Sequence, residues 1–173
     1  MRRATRAFAA VLGLALPGRV LAQGTAAIPA EAVVVTVGMA VTTLRDLGFG
    51  SVVTGVSTTV QPVAAGAGAW QVSGNPNAFA SITFTLPTEL TNIQALPGST
   101  MPIAFGAGAA LWRRATNDPA GATPFDPATG ATGRFGPPPN PNLYIWVGGT
   151  VSPAVTAKPG IYQGTIVVSL SYL

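Results

Sequence analysis

Five carboxylates and three tryptophans are the side chains here with most capacity for chemistry. Glu31, Asp46, Glu89, Asp118 and Asp126 are the acids. A glycosidase-type pair needs two carboxyls about 5 to 10 Å apart across a cleft. Only Asp118 and Asp126 share a segment, and aspartates among prolines and glycines read as solvated or turn-capping residues. The chain has no histidine and no cysteine, so serine and cysteine triads and the usual zinc sites lack their central residues. Gly106-Ala107-Gly108 lacks the later glycine and the strand-to-helix setting of a dinucleotide fingerprint. We expect no enzyme, no cofactor and no metal site.

Trp70, Trp112 and Trp146 would stack on sugars if exposed, but each sits beside strand residues, where core packing is the simpler reading. Phe125, Phe135 and Pro137-Pro138-Pro139, in a loop, are better candidates for an exposed adhesive surface, the plainer reading being a loop folded back on the sandwich. Glycan binding through Trp112 and the loop to Asn142 is the alternative function, as a monomeric adhesin or carbohydrate-binding module. LPTEL (86–90) and LPGST (96–100) read as strand ends with proline turns.

The elements that position these residues are strands. After Arg2, Arg3 and Arg6 comes an apolar run from Ala7 to Leu16, then Pro17-Gly18 and small residues, the pattern of a secretory signal peptide with cleavage near Ala22. The run is too short for a stable membrane span. We expect an exported protein of the periplasm, cell surface or exterior. Removing residues 1–22 takes away four of nine basic residues, leaving five against five acids. The remaining chain is neutral and lacks the basic footprint of a nucleic-acid binder. Residues 23–173 are long enough for one domain. Without disulfides, its stability rests on packing or on strand pairing with a partner.

Residues 32–43 read as a strand, with Val33, Val35, Val37, Met39 and Val41 in one register. Short β runs follow at 44–55 and 57–63, a small-residue loop at 64–69, a strand at 70–74 and a turn at 75–77. In 78–87, Ile82, Phe84 and Leu86 alternate with Ser81, Thr83 and Thr85, which predicts a half-buried antiparallel strand. Residues 99–112 predict a strand interrupted by small residues. Seven prolines and four glycines within 113–142 predict a long loop with no regular element. Strands resume at 143–149 and in YQGTIVVSLSYL, at 162–173. The tracts AGAGAW (65–70) and GAGAALW (106–112) read as compositional drift rather than a repeat. The fold expected is all-β, an immunoglobulin-like antiparallel sandwich with a long Gly/Pro-rich loop.

LGFG (47–50), FASITFTLP (79–87), YIWVGGTVS (144–152) and GIYQGTIVVSLSYL (160–173), in that order, resemble a family of bacterial secreted domains of unknown function. That family is similar to spore-coat-protein-U-like domains and chaperone-usher pilus subunits. The resemblance covers most of residues 23–173 apart from the 113–142 loop. Chaperone-usher subunits carry an alternating last strand with a penultimate aromatic and a glycine fourteenth from the end; Tyr172 and Gly160 occupy those places here. The resemblance implies a pilin-like, fimbrial structural subunit or cell-surface domain with a role in adhesion. Gly160, Ile166, Val168, Leu170 and Tyr172 would meet a periplasmic chaperone, delivered to an usher, and then a neighbouring subunit by self-association. The donor strand implied is Thr25 to Thr43, particularly Val33, Val35 and Val37; the other reading of this segment is the first strand of a closed sandwich, which need not polymerise. The chain departs from many pilins in having no cysteine pair.

Overall fold

The computed structural model describes residues 38–94 and 99–173, all within one unit, Val35–Leu173. The expected signal peptide, and Val33, Val35 and Val37, lie outside the described residues. The expected all-β, immunoglobulin-like sandwich is what the strands form. One sheet contains, in spatial order, β1 (Ala40–Arg45), β3 (Gly68–Ser73), β10 (Asn142–Val147), β7 (Ala110–Arg114) and β8 (Thr123–Phe125). A three-stranded sheet is ordered β13 (Val167–Tyr172), β4 (Phe79–Thr85), β9 (Ala131–Arg134). Another runs β12 (Tyr162–Gln163), β5 (Glu89–Asn92), β6 (Thr100–Ala104), β11 (Gly149–Val151), β2 (Thr58–Val60). Every pairing is antiparallel.

The alternation in 80–86 has its expected consequence. Ala80 and Ile82 are fully buried, facing Trp70 and Val72 of β3, Leu143, Ile145 and Val147 of β10, and Ala110 of β7. Ser81, Thr83 and Thr85 point the other way. A second cluster, Met101, Ile103 and Val151, lies under β6 and β11, with Leu47, Phe49, Val52, Leu90 and Tyr162 packed on it. The expected strand 143–149 divides at Gly148 into β10 and β11, which join different sheets. A side chain at 148 would collide with the Val60 carbonyl, so glycine permits the crossing.

The segment 113–142 corrects the expectation of an irregular loop, since it contains β8 and β9. Proline is compatible with β8 because this is an edge strand paired with β7 alone, where the N–H that Pro124 lacks is not missed. Asp118 and Asp126 are turn-capping: their Oδ1 atoms accept from the backbone N–H of Ala120 (2.9 Å) and Ala128 (2.8 Å). Phe135 is another correction, being fully buried rather than adhesive. Its N–H bonds the Ala78 carbonyl at 2.9 Å, which draws the ring inward against Tyr172 at 5.8 Å between centroids. Phe125 is half-buried and stacks on Phe84. Residues 44–55 are also corrected: only Leu44 and Arg45 are strand, closing β1. Beyond them Gly50 and Gly55 take φ of +66° and +76°, which no strand accommodates.

Candidate functional site

The sandwich has an open edge between β1 and β13. Strand β1 pairs with β3 alone, and β13 with β4 alone, among the described residues. Register fixes which side chains face inward, because directly paired residues share a face. Val41 pairs with buried Val72, and Thr43 with buried Trp70, so both face the core. Val41 is nonetheless 47% exposed. Across the sandwich, Val168, Leu170 and Tyr172 pair with Phe84, Ile82 and Ala80, which turns them inward with Ile166. They remain only half-buried, whereas their partner Ile82 is 0% exposed. The difference has a simple cause: each inward residue at the edge is covered from one side by its neighbour strand and from the other by nothing described.

Tyr172 is the best anchored of these residues. Its hydroxyl accepts from the Asn75 N–H at 2.8 Å, and its ring lies on Phe135. The remaining tail residues depend on β4 and on alternation. Ser169 and Ser171 face outward and are exposed, as is Val167.

Past the ends of β1 and β13 the edge widens into a cleft of about 810 Å³. One wall is 46–54, the other 157–165, and Leu90, Met101 and Val151 form the floor. The first wall is held by the Gly48 N–H on the Gly66 carbonyl (2.9 Å) and by Arg45 Nε on the Ala67 carbonyl (2.7 Å). The second is held by the Ile93 N–H on the Ile161 carbonyl at 2.9 Å. Asp46 and Lys158 stand on opposite walls. The floor is apolar and the walls are mixed, with Leu47, Phe49 and Val52 beside Asp46, Ser51 and Lys158, so the cleft suits a segment that brings apolar side chains to the floor and polar groups to the rim.

Gly160 belongs to this cleft. Its φ is +153°, and a Cβ there would overlap Asn92 Nδ2 and lie 2.9 Å from Gln94 Oε1. Asn92 is 5% exposed; Oδ1 accepts from the Gln94 N–H at 2.9 Å, and Nδ2 has no hydrogen-bond partner among the described residues.

The tail residues singled out in the sequence are thus brought to one edge, with Gly160 at its wider end. The proposed donor is narrowed, because Ala40 to Thr43 belong to β1 and pair with β3 of the same chain. Only residues before 38 lie outside the described structure on that side. Sequence reading missed the 46–54 wall, although Leu47, Phe49 and Val52 set among glycines were a signal of apolar residues serving something other than a strand. Of the tryptophans, Trp70 and Trp146 are buried and Trp112 is half-buried.

No helix among the described residues is long and apolar enough to cross a membrane. No group of three or more metal-ligating side chains occurs among them. No protein-family model, curated protein or solved structure matches the chain.

Proposed function

We infer that this is an exported, non-enzymatic structural subunit or surface domain, pilin-like, that completes its sandwich with a strand supplied by another chain. The observation that carries this reading is Val41, an inward-facing residue 47% exposed on edge strand β1, together with the half-buried, inward-facing Val168 and Leu170 on edge strand β13. An edge with free backbone groups and apolar inward residues gains both hydrogen bonds and burial when a strand is added. Taking a valine or leucine from full exposure to full burial is worth about 1.5 to 3 kcal/mol, so covering each of these part-buried side chains gains roughly half of that or less. Several side chains along one edge therefore make a tight joint without any catalytic residue.

The donor in this reading is the segment before β1, residues 23–37, whose Val33, Val35 and Val37 alternate as the edge requires. A periplasmic chaperone would occupy the same edge before the neighbour does, and an usher would exchange the two. Fifteen residues reach about 50 Å when extended, more than the six residues of β13 need. The test is deletion of residues 23–37 from the exported chain, followed by denaturant-free electrophoresis. Assembly by the full chain and monomer after deletion support the reading; a monomer in both cases excludes self-association.

A further inference from the structure

A second concave surface shares no lining residue with the edge just described. It is an open cleft of about 470 Å³ formed by the end of β7 and the loops beside it, lined by Trp112, Arg113, Arg114, Thr116, Thr123 and Pro137. Its volume lies within the range of small-ligand sites.

Both sides of the cleft are braced. Arg113 Nη1 donates to the carbonyls of Asp118 (3.1 Å) and Ala120 and pairs with Asp118 Oδ2 at 3.4 Å, which fixes the 118–120 turn. On the other side, the Ala115 N–H bonds the Asn142 carbonyl at 2.8 Å, and Asn140 Nδ2 donates to the Ala115 carbonyl. The result is a site shaped before a ligand arrives, which lowers the ordering cost of binding.

The charge on the cleft is unbalanced in one direction. Arg113 is matched by Asp118, but the exposed Arg114 side chain makes no hydrogen bond or ion pair with the described residues, and no carboxylate lines the cleft. Trp112, half-buried against the core, lines the cleft with Thr116 and Thr123. A part-exposed indole, hydroxyls and one free guanidinium are the complement of a sugar ring bearing a carboxylate: the sugar lies on the indole, its hydroxyls exchange hydrogen bonds, and the acid forms a forked pair with arginine.

We propose that this cleft binds an acidic oligosaccharide, with Trp112 stacking on a sugar and Arg114 pairing with its carboxylate. The test is calorimetric titration of the full-length exported protein, at fixed ionic strength, with oligogalacturonate and with a neutral cello-oligosaccharide of equal length. Wild type, Arg114→Gln and Arg134→Gln are compared; Arg114 is exposed, so its replacement leaves the core alone. The expected result is binding of the acidic ligand, about tenfold weaker or worse in Arg114→Gln and unchanged in Arg134→Gln. Failure to bind the acidic ligand overturns the proposal, as does equal affinity for the neutral one. Unchanged binding in Arg114→Gln, or equal weakening by both variants, likewise excludes the cleft as the site.

Discussion

The hydroxyl of Tyr172 accepts a hydrogen bond from the backbone N–H of Asn75 at 2.8 Å, joining the last strand to the turn between β3 and β4. The same ring rests on fully buried Phe135. Tyr172→Phe removes the acceptor and keeps the ring contact, so it should cost about 1 kcal/mol in urea unfolding. Tyr172→Ala loses both and should cost clearly more.

Gly160 offers a backbone test. A methyl group there must displace Asn92 while the residue holds a φ of +153°. Gly160→Ala should destabilise by about 1 to 3 kcal/mol. Gly106→Ala is the control, because a Cβ at Gly106 meets nothing within 4 Å. Its unfolding midpoint should match wild type or exceed it slightly.

Phe135 separates the structure from the reading of this segment as an exposed adhesive loop. Phe135→Ala should cost about 3 to 5 kcal/mol, the range for a large buried aromatic. An exposed phenylalanine would cost almost nothing, so one denaturation curve distinguishes the two.

Val41 should behave in the opposite way. Its 47% exposure makes Val41→Lys a moderate change for the isolated domain, about 1 kcal/mol, well below the cost of a fully buried site. In the assembled state the same lysine would lie against an added strand. Most of the stability should be retained while assembly on native gels is lost.

What the sequence revealed depended on period. The alternation of Ile82 with Ser81 and Thr83, and of Leu170 with Ser169 and Ser171, identified two strands and their inward faces, and the structure pairs them, Ile82 to Leu170. Composition was a poorer guide than register. Seven prolines made 113–142 look irregular, yet Pro124 sits on an edge strand and Pro127 is fully buried. Nor could composition reveal that Trp70 and Trp112, ending two similar small-residue tracts, flank Ile145 in one row. That row depends on pairings between residues distant in the chain. The open edge was legible in its tail half, through Ile166 to Tyr172. Val41 of β1 was legible too, but the 46–54 wall of the adjoining cleft was not, because it is built from positions that belong to no strand.

The central claim is that a neighbour's strand fills the edge between β1 and β13, and the absence of native cysteine permits a direct test. Val35→Cys is combined in turn with cysteine at Ile166, Val168, Leu170 and Tyr172, and the assembled full chain is oxidised. Disulfides require Cα atoms within about 7 Å, so a bond reports adjacency. Disulfides between chains are expected at one or more of the four positions, seen as a ladder on non-reducing denaturing gels. Bonds confined within single chains, or none at any position, would contradict it.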